Sequence, residues 1–364
     1  MTACATPEST AQFASRRPSQ NFYRPGWEGL TLASIGLGTY LGDPDVRADL
    51  RYVGAIRRYL ALGGNVIDTA INYRFQRSER SLGVALREAI AAGDVTREEV
   101  ILCTKGGYLS FDGGWPADPD RWINETFLDT GLVQPEDIVE GHCMAPAYLR
   151  HQIAQSLKNL QVERIDLYYL HNPESQRAIV GEEEFRLRLR EAFAALEVAV
   201  ANGQIAAYGM ATWNGYRAFP RAPDYLALQT VLEVARDVMG DRHHFRAVQL
   251  PLNVQMAEAF AKKNQPGPDG FASLLEVAQQ NGVTVIASAP LLQSRVVGRL
   301  TDDFRAKFDG FATDAQRALQ FTRSTPGLTT ALVGMSSLEH VEENLRLIEV
   351  ESMSPEAYRA LFEK

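Results

Sequence analysis

The chain has 364 residues, 45% of them apolar, which is enough for one large α/β domain or two smaller ones. Its formal net charge of −8 is spread along the sequence without a run of Lys and Arg, which argues against nucleic acid or an anionic membrane as a partner. Cys4, Cys103 and Cys143 stand far apart with no Cys-x-x-Cys pair, so free thiols in a reducing, cytoplasmic compartment are expected rather than a disulfide framework or a zinc site.

Residues 1–20 are rich in Ala, Ser, Thr and Gln but lack the continuous apolar segment of a secretory signal. No apolar run elsewhere approaches the roughly 20 residues needed to span a bilayer. The first twenty residues are expected as a mobile tail, with a single domain over 21–364.

From Leu32 onward, short apolar runs, several rich in β-branched residues, alternate with stretches of helical periodicity. Eight βα units result, with strands expected over 32–40, 65–70, 100–105, 164–172, 205–212, 245–253, 283–290 and 328–335, each followed by a helix. Leu189, Phe193, Leu196 and Val200 form one helical stripe, and Leu338, Val341, Leu345 and Ile348 another, both placed to face a sheet. Gly63-Gly64, Asn202-Gly203 and Asn281-Gly282 fall where a left-handed residue ends a helix, and Thr313 with Gln316 reads as a capping box. Eight units in this length favour a closed (β/α)8 TIM barrel over a doubly wound sheet. No Gly-x-Gly-x-x-Gly follows the first strand, and the near match Gly36-Leu37-Gly38 reads either as glycines permitting a tight turn at the strand end or as a phosphate contact.

One interval breaks the rhythm. Asp68 to Lys105 takes 37 residues and His171 to Gly209 takes 38, whereas Lys105 to His171 takes 66. The excess is an insertion over 108–145, between the third strand and its helix, carrying Phe111, Trp115, Trp122 and Phe127. This connection emerges at the C-terminal face of a barrel, so a substrate lid or specificity loop is expected; a surface excursion holding a small core of its own is the plainer reading, and the two are compatible.

Asp68, Lys105 and His171 close three neighbouring strands, and Tyr73 follows Asp68 by five residues. Singly, a strand-end Asp caps a turn and a His beside an Asn is structural. Together they suit proton transfer to a carbonyl: an ammonium at Lys105 stabilises a Tyr73 phenolate, Asp68 pairs the ammonium, and His171 donates to the substrate oxygen. His243-His244 lacks a third ligand in sequence, and no metal is assigned.

These residues resemble the aldo-keto reductases. The resemblance rests on Gly-Gly-Asn-Val-Ile-Asp-Thr-Ala-Ile-Asn-Tyr (63–73), Ser-Glu-Arg-Ser-Leu-Gly (78–83), Thr104-Lys105, Asp-Leu-Tyr-Tyr-Leu-His (166–171) and Val-Glu-Glu-Asn (341–344). It implies a (β/α)8 barrel carrying a nicotinamide cofactor across its C-terminal face, and a catalytic tetrad of Asp68, Tyr73, Lys105 and His171. It also implies cofactor contacts from Thr39 and Tyr40 in the first loop and from Gln249 at the carboxamide. Pro290, Leu291 and Gln293 fall at the pyrophosphate, and Gly334, Ser336, His340, Glu343 and Asn344 at the adenosine end. Where the family reads Ser-Asn, this chain has Ala211-Thr212, leaving Thr212 or Asn214 to hold the carboxamide. Ser288 stands where an aromatic ring usually stacks under the nicotinamide. Family habit favours NADP(H), but from Gly334 to Leu345 only His340 can carry positive charge, which favours NAD(H); both stay open, with Arg295 able to reach from the preceding loop. Tyr40 and Trp115 are expected at the substrate, a small carbonyl or alcohol such as an aldehyde, ketone or sugar. The alternative is a nucleotide-binding regulatory subunit of the same fold with little turnover. A phosphate-handling isomerase is disfavoured because Gly-Met-Ser-Ser follows the last strand in place of a glycine-rich cradle. Oligomeric state is not encoded in any feature of the sequence.

Overall fold

Eight parallel strands hydrogen-bond into a closed ring in the computed structural model, which describes residues 4–17, 19 and 21–363. They are β1 (Ile35–Gly38), β2 (Val66–Asp68), β3 (Ile101–Gly106), β4 (Ile165–His171), β5 (Ile205–Ala211), β6 (Phe245–Pro251), β7 (Thr284–Ser288) and β8 (Thr330–Gly334). Neighbours in sequence are neighbours in the ring, and β8 pairs with β1 to close it. Outside lie α1 (Val46–Ala61), α2 (Arg77–Ala91), α3 (Pro146–Leu160), α4 (Glu182–Ala201), α5 (Leu228–Met239), α6 (Leu274–Gln280), α7 (Asp314–Arg323) and α8 (Leu338–Leu345). This is the (β/α)8 barrel read from the periodicity; seven strands fall inside the expected ranges, and β3 runs one residue past its own, to Gly106.

Both faces of a parallel sheet are covered, so the strands are apolar on alternate residues in both directions. Val66, Ile101, Cys103, Leu167, Tyr169, Ala207, Ala247, Ile286 and Leu332 fill the barrel interior. Their neighbours Leu102, Tyr168, Leu170, Tyr208, Met210, Val248 and Leu250 pack outward against helices. Leu189, Phe193 and Leu196 are buried as expected, but Leu338 at the start of α8 is 48% exposed, so that stripe begins at Val341. Gly203 and Gly282 adopt φ of 73° and 65° just past α4 and α6, the left-handed position anticipated for them.

Four local expectations are corrected. Within the segment expected as a mobile tail, Pro7–Ser15 is a helix: Thr6 caps it, its hydroxyl accepting from Ser9 N at 3.1 Å, and Phe13 and Thr10 are buried. Asp166 accepts from Ala5 N at 2.6 Å, tying the segment to β4; residues 1–3, 18 and 20 lie outside the described residues. The expected first strand splits at Ser34. Thr31–Ala33 turns back on Tyr23–Pro25 as an antiparallel hairpin that drives Trp27, Leu30 and Leu32 into the barrel interior, and only Ile35–Gly38 joins the ring. Gly36 and Gly38 are therefore strand residues, not turn residues. Thr313 does cap α7, its hydroxyl accepting from Gln316 N at 3.2 Å, but Gln316 Oε1 accepts from Ala312 N, one residue short of the reciprocal box.

The insertion after β3 holds a short helix, Pro119–Ile123, running into a wider turn over Asn124–Leu128. Phe127, Val133 and Cys143 cluster against Tyr148 of α3, with Trp122 and Leu132 beside them. A small separate core has formed, as the plainer reading expected.

Candidate active site

Strand alternation decides which strand-end side chains reach the barrel axis. Lys105 continues the inward row of Ile101 and Cys103 on β3, and His171 that of Leu167 and Tyr169 on β4. Asp68 likewise follows Val66 on β2, and Gln249 follows Ala247 on β6. The register sets Asp68 opposite Cys103 and Lys105 opposite Tyr169, so these polar groups form a staggered layer at the upper edge of the apolar filling.

Lys105 forms an ion pair with Asp68, donates to the Thr69 carbonyl at 2.8 Å and reaches Tyr73 Oη at 3.4 Å. The three N–H groups of the ammonium are thereby all used, the condition for keeping such a charge buried. Gln249 Nε2 donates to the second Asp68 oxygen at 2.9 Å. Tyr73 comes from the turn after β2, where Arg74, Phe75 and Gln76 take φ of 49°, 55° and 69°. Three successive left-handed non-glycine residues cost roughly 1–2 kcal/mol each. An anchor offsets this: the buried Arg74 guanidinium is ion-paired with Asp49 and donates to the Asp43 carbonyl at 3.0 Å. The Tyr73 ring stands edge-on to Tyr40 and His171, with centroids 5.0 and 5.7 Å away.

Burial raises the Tyr73 phenol above its ordinary value, against the pull of the Lys105 charge. The sequence reading captured that pull and missed the larger effect of burial. Burial also pushes the Asp68 carboxyl up, opposed by Lys105 and by the bonds from Lys105 and Gln249. At Lys105 burial works against the ammonium, but Asp68 and Tyr73 outweigh it and the ammonium is retained. Burial, with Lys105 and His142 adding to it, holds His171 well below the usual imidazole range, so its ring is neutral at neutral pH.

Above this layer opens a cleft of about 490 Å³. Asp68, Tyr73 and His171 border it, as do Thr39, Tyr40, Thr212, Gln249, Ser288, Pro290, Leu291, Gln293 and Gly334 from the expected cofactor set. A family model described as the aldo/keto reductase family matches residues 34–364. The chain belongs to the aldo/keto reductase family.

Among relatives of this aldo/keto reductase, L-glyceraldehyde 3-phosphate reductase of Escherichia coli is 23% identical over 89% of this chain and 86% of that one. A D-threo-aldose 1-dehydrogenase from a Pseudomonas species is 32% identical over 143 residues, only 39% of this chain and 38% of that one. An aldo/keto reductase from Klebsiella pneumoniae, solved with NADP and acetate, superposes with a TM-score of 0.62 at 22% identity, covering 94% of each chain. It shares the fold.

The expected residues divide in this aldo/keto reductase. Asn214, Ser336, His340, Glu343 and Asn344 do not border the cleft. Asn214 N donates to Glu174 Oε1 at 3.1 Å, and Glu343 accepts from the Thr313 hydroxyl. Trp115, expected at the substrate, is 69% exposed and packs edge-on against Phe75 and Phe111, outside the cleft. Among the residues that border it without having been assigned from the sequence are Asn72, Tyr108, Asn172 and Trp213. Asn72, Asn172 and Trp213 each sit next to an assigned residue, which was the available signal, and Tyr108 lies two residues past the end of β3. No group of three metal-ligating side chains occurs among the described residues, and His244 spends Nδ1 on Glu197 at 2.7 Å.

Two features fit a nicotinamide dinucleotide. Thr212 Oγ1 is buried and has no partner among the described residues, which suits a carboxamide. After β7, Leu292, Gln293 and Ser294 take φ of 46°, 53° and 67°, and the Gln293 and Ser294 N–H groups have no acceptor among the described residues. Such a run of free amides is an anion-binding concavity.

Proposed function

We propose that this protein is a nicotinamide-dependent oxidoreductase that interconverts a carbonyl and an alcohol, with Tyr73 as general acid and base. The observation that carries this reading is Lys105 Nζ at 3.4 Å from Tyr73 Oη, in a cleft whose histidine is held neutral. A neutral His171 can donate a hydrogen bond to the carbonyl oxygen but has no proton to give it. That leaves the Tyr73 phenol, protonated at neutral pH, as the acid, with the Lys105 ammonium stabilising the phenolate left behind. A nicotinamide held in this cleft would supply or accept the hydride. In this reading Asp68 keeps Lys105 charged and Gln249 keeps Asp68 in place. The intact tetrad favours turnover over a purely regulatory, nucleotide-holding role.

The free amides of Gln293 and Ser294 are assigned to the pyrophosphate and Thr212 to the carboxamide. Relatives point both ways on the coenzyme: the Klebsiella pneumoniae structure contains NADP, and a 25% identical Escherichia coli relative is an NADH-specific methylglyoxal reductase. Aldehydes, ketones and sugars all belong to the substrate class. For a sugar, the aromatic face moves from Trp115 to Tyr40 and Trp213, which are 54% and 40% exposed and border the cleft, with Asn72 and Asn172 for hydroxyls. We also infer a cytoplasmic location, in keeping with three free thiols. The test is fluorescence titration with NADPH and NADH, followed by a carbonyl and sugar panel with the tighter coenzyme. Saturable binding with turnover on the panel is expected; tight binding with no turnover would favour the regulatory reading.

A further inference from the structure

We propose that His142, carried by the 108–145 insertion, is a positioning residue for His171, so that the insertion braces the active site from behind. This rests on His171 being the group that donates to substrate. His142 is 1% exposed, and its Nε2 lies 2.8 Å from the backbone oxygen of His171. Its Nδ1 faces Gln176 Nε2 at 3.0 Å. An amide nitrogen only donates and a carbonyl oxygen only accepts. Nδ1 is therefore the acceptor, and Nε2 carries the hydrogen that goes to His171. Gln176 holds this orientation through its other contacts, Nε2 to the His142 carbonyl at 3.1 Å and Oε1 from Arg188 at 3.3 Å. Burial pushes the His142 imidazole down to about 4, so the same neutral tautomer persists through the neutral range.

The contact acts where β4 ends. Asn172 N donates to the Ala211 carbonyl at 2.6 Å, so the peptide group joining His171 and Asn172 is held from one side by β5 and from the other by His142. Asn172 has a φ of 50°, a conformation that needs such fixing. Laterally, Tyr108 stands edge-on between the two histidines, 5.2 Å from each ring, and its hydroxyl accepts from Asn172 Nδ2 at 3.2 Å. The chain also makes room for His142. Gly107 has a φ of 140°, and a Cβ there would lie 2.5 Å from His142 Nε2. Backbone bonds from Leu109 N to the Gly141 carbonyl at 2.8 Å and from Cys143 N to the Gly107 carbonyl at 2.7 Å stitch the two ends of the insertion beneath this contact. Rate is sensitive to sub-ångström placement of an orienting donor, which gives the brace a kinetic consequence.

The experiment compares His142→Leu, His142→Gln and His142→Asn in the full-length chain, with Tyr73→Phe as control. A glutamine amide nitrogen reaches the position of Nε2, whereas an asparagine amide stops at that of Nδ1. His142→Leu and His142→Asn are expected to lower kcat about tenfold with coenzyme Kd unchanged, and His142→Gln to restore kcat to within about threefold. Should His142→Leu fail to fold, the Gln and Asn variants decide, and equal kcat in those two overturns the proposal. A wild-type kcat in His142→Leu also overturns it. If Tyr73→Phe leaves turnover intact, the functional reading itself has failed; if Tyr73→Phe abolishes turnover while His142→Leu does nothing, only the brace has.

Discussion

Two connections on the same rim, one after β3 and one after β7, serve the cleft in opposite ways. The long insertion spends its apolar side chains away from the cleft, with Phe127, Val133 and Cys143 in a separate cluster and Trp115 against Phe75 and Phe111. Only Tyr108 of it borders the cleft. The loop after β7 contributes Ala289, Pro290, Leu291, Gln293 and Ser294 within six residues, and four of residues 289–294 are left-handed without being glycine. A segment long enough to bury its own apolar surface does so first, and a short loop cannot. Backbone strain, costing of order 1–3 kcal/mol per residue, collects in the loop where the Gln293 and Ser294 amides are left without an acceptor among the described residues.

The contrast would break if the insertion controlled coenzyme binding or the short loop did not. Gln293→Pro, whose ring forbids a φ of 53°, should weaken coenzyme Kd at least tenfold, read by fluorescence titration. Phe127→Ala should instead cost about 3–5 kcal/mol in denaturant unfolding and leave that Kd within about twofold. The difference is sharpened at the two tryptophans. Trp213→Ala is expected to raise substrate KM several-fold, and Trp115→Ala to leave it within about twofold in steady-state assays. The smallest effect is one of pH. Because burial keeps the Tyr73 phenol protonated, carbonyl reduction should be flat between about pH 6 and 8, while alcohol oxidation, which needs the phenolate, should rise across that range. Parallel profiles in the two directions would contradict the assignment of Tyr73.

The barrel and the inward placing of Asp68, Lys105 and His171 were legible because both depend on strand period, whereas Tyr73 sits in the turn after β2. Once 101, 103 and 105 share a face, an apolar Ile101 and Cys103 oblige Lys105 to point inward, and the same logic places Asp68, His171 and Gln249. Loop side chains follow no such rule. Trp213 reaches the cleft because the buried Glu174 carboxylate accepts from the backbone N–H of Trp213 at 2.6 Å and of Asn214 at 3.1 Å, a contact spanning about forty residues. Trp115 misses the cleft because Phe75 and Phe111 lie nearer. The segment before Ser34 was misread for a related reason: its amphipathic face is short, and its helix is held by a threonine cap and by Asp166 of a distant strand. The fall in proton affinity expected for Tyr73 was reversed because burial cannot be read from a strand-end motif.

The central claim, that Tyr73 moves the proton while its neighbours hold it ready, is tested most directly by Tyr73→Phe under single-turnover conditions with coenzyme saturating. The account predicts a fall in rate of about 10²–10⁴-fold with coenzyme Kd unchanged. A rate within threefold of the wild type would contradict it.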